Sequence, residues 1–308
     1  MKPVFETTLA AEVSCIGVGV HSGDRVRLTL APAATGVGIV FERTDITGHN
    51  KIAARTENGI ETPFCTRIRN SAGVELTTIE HVLAALAACG VDNAIVRVNG
   101  PEVPIMDGSS KPFMDMIRRA GLREQSAPRR YIRILRPVVI EEGGRRAALL
   151  PADTFSIQFT VDFRNRAGLA AQTMDFTVDQ KGFSDLIASA RTFSFLEDVE
   201  KMKAAGFIKG GSLSNALVLG QDGQAVNPEG MRYEDECVRH KILDALGDLM
   251  MAGAPIIGRY EAYNSGHEFN HRLLVELFAQ PDAWTFETAI GVSAHHMQNL
   301  TNHRRAAR

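Results

Sequence analysis

His240 and Asp244 lie four residues apart in the run Tyr233-Glu234-Asp235-Glu236-Cys237-Val238-Arg239-His240-Lys241-Ile242-Leu243-Asp244-Ala245-Leu246-Gly247-Asp248. Four residues is about one helical turn, so an imidazole and a carboxylate leave the same face. Such a pair can grip one divalent metal. With a third ligand from elsewhere it leaves a coordination position for water, the pattern of a catalytic rather than a closed structural site. At ~100° per residue, Cys237, His240, Lys241, Asp244 and Asp248 share one arc, with Val238, Ile242, Leu243, Leu246, Leu249 and Met250 opposite. A plain surface helix with a solvated polar stripe has the same pattern. Two features argue for chemistry: Asp248 sits one further turn along and can orient a neighbour, and a solvated face would not favour Cys237. That cysteine reads either as a ligand through C-x-x-H or, better, as a packed thiol.

A third ligand is available in Thr77-Thr78-Ile79-Glu80-His81-Val82-Leu83-Ala84-Ala85-Leu86-Ala87-Ala88-Cys89-Gly90. From Val82 onward this helix is apolar on every side, which predicts burial. Its first turn nevertheless holds Glu80 and His81. Taken singly, Thr77-x-x-Glu80 fits a capping box, and His81 fits a core histidine bonded to a carbonyl. Taken jointly, His81, His240 and Asp244 make two imidazoles and one carboxylate, and Glu80 can accept a proton from metal-activated water. His267, in the loop Ser265-Gly266-His267, can act as a cation toward a developing oxyanion or a leaving amine, with Asp248 holding its ring. The alternative for His267 is a solvent-exposed loop histidine.

Bulk properties narrow the field. The chain has 308 residues, 44% apolar content and a net charge of -2, so a large core is expected and a nucleic-acid partner is not. No stretch reads as a signal peptide or a membrane span. Cys15, Cys65, Cys89 and Cys237 form no C-x-x-C pair, which suits reduced thiols and a cytoplasmic location. No heptad repeat is visible, and a monomer is expected. The Arg304-Arg305 end follows a polar tail and reads as a frayed terminus, and the tail after about Glu287 carries no functional signal.

The elements that must position these residues read as a duplicated α+β arrangement. In the first half a helix over 78–90, a strand over Asn93–Val98, the loop Asp107-Gly108-Ser109-Ser110 and a Pro112-led amphipathic helix closing near Gly121 follow in order. In the second half the order repeats: a helix over about 234–251, a strand around 256–263, a Gly-bearing loop, and a helix through Leu273, Leu274 and Leu277. Strand-like segments precede each pair: 26–30 and 37–43, then 131–140, 147–150 and 155–163, with Glu141-Glu142-Gly143-Gly144 as a hairpin turn. Polar, Gly- and Pro-bearing Ala120–Arg130 reads as the boundary. The expectation is a first module over 1–122, a linker over 123–130, and a second module over 131–308. An insertion over about 192–219 reads as strand, helix and strand, able to line a groove.

Several segments, in order, resemble the zinc-dependent UDP-3-O-acyl-N-acetylglucosamine deacetylase family of lipid A synthesis over roughly residues 5–285. They are Gly17–Gly23, Thr78–His81, Pro104–Ser109, Asp162-Phe163, Ala190–Phe193, Glu234–Glu236, His240–Asp248 and Ser265–His267. The resemblance implies zinc on His81, His240 and Asp244, with Fe2+ an alternative since these ligands accept both. It implies Glu80 as general base, His267 as general acid supported by Asp248, and Thr192 as an oxyanion donor. Lys241 would contact the nucleotide-sugar, while His21, Asp162 and Phe163 would lie in the UDP region, Phe163 stacking on uracil. It implies two α+β modules with helices sandwiched between sheets. The insertion, with Phe193, Phe195, Gly206, Phe207, Gly210 and Ser212, would form an apolar passage for the acyl chain. Asn264 stands where a Lys is expected for phosphate, and Pro63-Phe64 departs from the pattern before Cys65. The implied reaction is hydrolysis of the N-acetyl amide of a 3-O-acylated UDP-glucosamine. A different zinc amidase or peptidase, or a non-catalytic carrier with a structural metal, are the alternatives.

Overall fold

The computed structural model describes residues 4–62, 64–163 and 169–288. Pro63 and the tail with Arg304 and Arg305 lie outside the described residues. The chain is α+β. Six α-helices are present among those residues: α1 (Glu80–Ala88), α2 (Lys111–Ala120), the single turn α3 (Gln180–Gly182), α4 (Leu196–Ala204), α5 (Glu236–Leu249) and α6 (His267–Ala279). None is long and apolar enough to cross a membrane.

Two five-stranded sheets carry the framework. One runs Val13–Val18, Arg25–Pro32, Ala94–Val98, Ile39–Arg43, Lys51–Ala53. The other runs Val138–Glu142, Arg145–Leu150, Arg259–Tyr263, Ser156–Val161, Gln172–Thr177. Each has a parallel third pair and antiparallel pairing elsewhere. α1 and α2 flank the central strand of the first sheet in sequence, as α5 and α6 flank that of the second. This is the repeated order expected from the sequence. Strand periodicity explains the inner faces: in Arg25–Pro32, Val26, Leu28 and Leu30 are buried while Arg25 and Arg27 face water.

α1, α2, α5 and α6 pack together against the two large sheets. α5 packs on Ser156–Val161 and Gln172–Thr177, α6 on Val138–Glu142 and Arg145–Leu150, and α2 on Val13–Val18, while α1 packs on α5 and α2. α1 is apolar all round because it is enclosed all round: Val82, Leu83, Ala84, Ala85 and Leu86 have no exposed surface. Each such Val or Leu contributes roughly 1.5–3 kcal/mol on burial. The Gly143-Gly144 hairpin forms as expected, both residues at positive φ (58° and 75°), a conformation glycine adopts without steric cost.

The boundary stretch carries a strand, Leu122–Pro128, antiparallel to Phe5–Leu9. Its polar composition suits a half-exposed strand as well as it suits a loop. The segment 131–140 divides at Leu135-Arg136-Pro137 into Arg130–Ile134 and Val138–Glu142, in different sheets; Pro137 cannot donate to a ladder. The segment 256–263 also divides. Ile256–Ile257 pairs with Arg130–Ile134, and Arg259–Tyr263 joins the large sheet. Gly258 makes the crossing: a Cβ there would lie 2.7 Å from Ile134 and 3.0 Å from the Leu150 carbonyl. The insertion has the expected βαβ form, Phe193–Phe195 pairing in parallel with Leu217–Leu219 after α4.

Candidate active site

α1 crosses α5 where α5 is narrowest. A Cβ on Gly247 would sit 2.1 Å from the Glu80 carbonyl oxygen, so glycine lets the first turn of α1 lie directly on the His240–Asp248 face. His81, His240 and Asp244 thereby become neighbours, at 3%, 2% and 3% exposure, and the stripe is buried rather than solvated. Among the described residues they are the His/Cys/Asp/Glu group able to share one ion, their ligand atoms all within 4.8 Å of one another. Cys237 is not part of it. Burial pushes that thiol up to about 12, so it packs as an apolar group.

The polar atoms fit a divalent metal. His240 Nδ1 lies 3.0 Å from the Ala190 carbonyl, so it donates there and its Nε2 faces Asp244 Oδ1 at 3.2 Å. His81 Nε2 is 3.6 Å from the same oxygen, and the two rings meet edge to face at 5.0 Å. Asp244 Oδ1 is buried without a hydrogen-bond partner. Two imidazole nitrogens facing an unpartnered carboxylate oxygen are costly without a cation between them. A tetrahedral centre with bonds of ~2.0 Å has ligand–ligand edges of about 3.3 Å, close to both separations. Protonation agrees, since metal ligands must be free of protons. Burial holds the His81 imidazole below its ordinary pKa. Burial opposes ionisation of Asp244, but His240, Lys241 and His267 hold it well below the usual carboxylate range.

Two titratable side chains, Glu80 and His267, sit together beside the cluster. Glu80 is buried and accepts a hydrogen bond from the Thr66 amide at 3.0 Å. The capping box is therefore not formed: the Thr77 amide bonds the Pro101 carbonyl instead, and Glu80 is free to face the site. Burial, with help from Asp248 and Asp244, pushes its carboxyl up to about 7 against the pull of His267. His267 opens α6, with Nε2 4.0 Å from Glu80 Oε1 and 3.8 Å from Asp244 Oδ2. Its Nδ1 donates to Asp248 at 3.0 Å. Burial disfavours the imidazolium, yet Asp248, Glu80 and Asp244 outweigh it and raise the pKa to about 9. His267 is thus a part-buried cation at the start of α6, not an exposed loop histidine.

The remaining expected residues separate into two groups. Lys241 donates to Asp244 Oδ2 at 2.8 Å and lies 5.8 Å over the Phe193 ring. Phe193 stands edge-on to His240 at 6.2 Å and to Phe163 at 5.7 Å. Phe163 also meets Phe195 at 5.4 Å. Thr192 ends the stretch begun by Ala190, its amide donating to the Gly108 carbonyl at 2.7 Å. Asp162 accepts from the Tyr263 hydroxyl at 2.8 Å, and its amide donates to Asn264 Oδ1 at 2.7 Å. Asn264 therefore has a local structural role where a Lys was expected. His21 and Gly210 lie together instead, linked by the Lys209 amide to the His21 carbonyl and the Gly210 amide to the Val20 carbonyl.

Several contributors had no role in the sequence reading. Thr66 donates its hydroxyl to Asp248 and its amide to Glu80, tying acid and base together. Asn270 donates to Asp248 Oδ2 at 2.7 Å and accepts from Tyr260 and Ser265. Arg191 and Glu236 stood in matching segments without an assigned task. Gly247 carried a weak signal, a glycine amid helix formers on the ligand stripe. Gly247→Ala is expected to part Glu80 and His81 from His240 and Asp244 and to lower kcat/KM by ~100-fold, as a 1 Å misplacement can do. Steady-state kinetics with metal titration checks this; near-normal values would mean the helix crossing is not critical.

Fold and site together define an α+β protein with a two-histidine, one-carboxylate centre flanked by an acid and a base, the layout of a metal-dependent hydrolase. The sequence model of "LpxC: UDP-3-O-acyl N-acetylglycosamine deacetylase" matches residues 6–279, and the chain belongs to this family. A UDP-3-O-acyl-N-acetylglucosamine deacetylase of Phenylobacterium zucineum is 49% identical over 286 residues, covering 92% of this chain and 97% of the relative. One of Shewanella oneidensis is 45% identical over 284 residues, 91% of this chain and 92% of the relative.

Proposed function

We propose that the chain hydrolyses the N-acetyl amide of UDP-3-O-(3-hydroxyacyl)-N-acetylglucosamine, releasing acetate and the free 2-amine, in lipid A biosynthesis. The carrying observation is the convergence of Glu80 and His267, 4.0 Å from each other, beside the His81–His240–Asp244 cluster, in a member of this family. His81, His240 and Asp244 would hold Zn2+, and Fe2+ suits the same ligands. The metal, when bound, polarises water and the amide carbonyl.

The side chains do the rest. Glu80, as carboxylate, takes the proton of the attacking water. His267, as imidazolium, delivers a proton to the nitrogen as the C–N bond breaks; an amide needs that proton because an amide anion is a poor leaving group. Asp248 holds the His267 ring by Nδ1, and Thr66 and Asn270 hold Asp248. The Thr192 hydroxyl donates to the developing oxyanion. Lys241 contacts the nucleotide-sugar portion, and His21, Asp162 and Phe163 serve the nucleotide. The insertion, with Phe193 and Gly210, serves the acyl chain. The two similar α+β halves are read as a duplication. The protein is read as a monomer acting on a small-molecule substrate in the cytoplasm.

Acetate release from the acylated UDP-sugar, with elemental analysis of the same sample, tests the whole reading. Turnover of peptides instead, or no metal at stoichiometric level, would overturn it. Asp248→Asn removes the carboxylate that most raises the His267 pKa. The alkaline limb of the kcat/KM profile is therefore expected to move to lower pH, and an unmoved limb would remove His267 as the acid.

A further inference from the structure

Ala190, whose carbonyl receives the His240 Nδ1 proton, is followed by a fully buried arginine. Arg191 is 1% exposed and its partner Glu236 is 0% exposed. The Arg191 amide donates to Glu236 Oε1 at 3.0 Å, Nε to the same oxygen at 2.9 Å, and Nη2 to Oε2 at 3.1 Å. Nη1 reaches Glu229 and Nη2 also reaches the Gly230 carbonyl, each at 2.7 Å. The Arg232 amide adds a bond to Glu236 Oε2 at 2.6 Å. Glu236 is the first residue of α5, one turn before His240.

Burying a charge pair is a costly way to hold a core together, because well-packed apolar side chains of like volume are often as stabilising or better. What the pair adds is direction. A planar guanidinium bonded on several edges fixes angles that a hydrophobic contact leaves free. The bonds from the Arg191 amide and side chain clamp the peptide next to the Ala190 carbonyl onto the start of the helix carrying His240 and Asp244.

We propose that Arg191, through its buried pair with Glu236, is a positioning residue for His240: it holds the Ala190 carbonyl in the place that aims His240 Nε2 at Asp244 and His81. The inference rests on the metal-site reading above. A buried carbonyl or carboxylate behind a ligating histidine fixes its ring and tautomer, and losing such a partner typically weakens metal binding ~10–100-fold.

The test is Co2+ titration of the chelator-stripped full chain, read by visible ligand-field absorption, for wild type and three variants. Arg191→Met/Glu236→Leu replaces the pair with apolar side chains and avoids leaving one charge buried alone. Arg191→Lys keeps the charge and loses the fork. His240→Ala is the control. The expected result is a double variant that melts cooperatively yet binds Co2+ ~10–100-fold more weakly with an altered spectrum, and an intermediate Arg191→Lys. A folded double variant with wild-type affinity and spectrum overturns the proposal. If the double variant does not fold, wild-type affinity in Arg191→Lys overturns it equally, and weakened affinity supports it. Wild type that takes up no Co2+, or His240→Ala that binds as wild type does, would instead overturn the metal-site reading itself.

Discussion

Glu80→Gln is expected to lower kcat by ~10²–10⁴-fold, the usual worth of a positioned base, while metal content and KM stay near wild type. The substitution is nearly isosteric. The remaining amide oxygen can still accept from the Thr66 amide that now holds Glu80 at 3.0 Å. What disappears is the group able to take a proton beside the cluster. Stability should move the other way in the metal-free protein. Glu80 has a folded pKa raised to about 7 from 4.5. The native state therefore holds its proton more tightly than the unfolded chain, and stability falls as pH rises from about 4.5 through about 7. Above that window the buried carboxylate costs the fold on the order of 3 kcal/mol. Glu80→Gln removes this cost, so the metal-free variant should outlast metal-free wild type against denaturant at pH 8. Acetate-release kinetics and denaturant melts provide both readings. Near-normal turnover would displace Glu80 as the base.

Asp244→Ala is expected to abolish stoichiometric metal binding, and activity should fall with it. Asp244 Oδ1 is the atom both imidazoles face, at 3.2 Å from His240 and 3.6 Å from His81. Its other oxygen neutralises Lys241 and lies 3.8 Å from His267. Removing the carboxylate leaves four groups, His81, His240, Lys241 and His267, that are cationic or can become so around a hole. A metal ion entering it would meet the Lys241 ammonium without the negative charge that offsets it. The loss should therefore exceed the ~10–100-fold typical of an outer partner. Elemental analysis after dialysis, with circular dichroism to establish folding, checks this. A folded Asp244→Ala chain with one tightly held metal would mean that the ion sits elsewhere.

Much of this was legible in the chain before any coordinates, and the parts that were share a cause. The four-residue spacing of His240 and Asp244, the all-apolar course of Val82–Leu86, the Gly143-Gly144 turn and the βαβ insertion are local patterns. Helical period, strand alternation and turn conformations follow from sterics and hydrogen bonding among near neighbours, so residue order is enough to read them. Matching several ordered segments to a family then attached roles to His81, Glu80 and His267, which spacing alone left open between chemistry and capping, or between chemistry and packing.

Other features were decided only by the tertiary structure. Thr77-x-x-Glu80 satisfies the capping pattern as well as any sequence does, yet the Thr77 amide was taken by Pro101 and Glu80 turned inward. Nothing local in residues 120–130 reveals that Phe5–Leu9 will arrive as a pairing partner. Arg191 and Glu236 gave no sign of being a buried pair, since burial belongs to what surrounds a residue rather than to the residue. The site exists because α1 can lie on α5 at Gly247, bringing a histidine from the front half of the chain within ligand distance of two donors in the back half. Short-range preferences choose the elements, but the burial of apolar faces and the pairing of charges removed from water choose which elements meet.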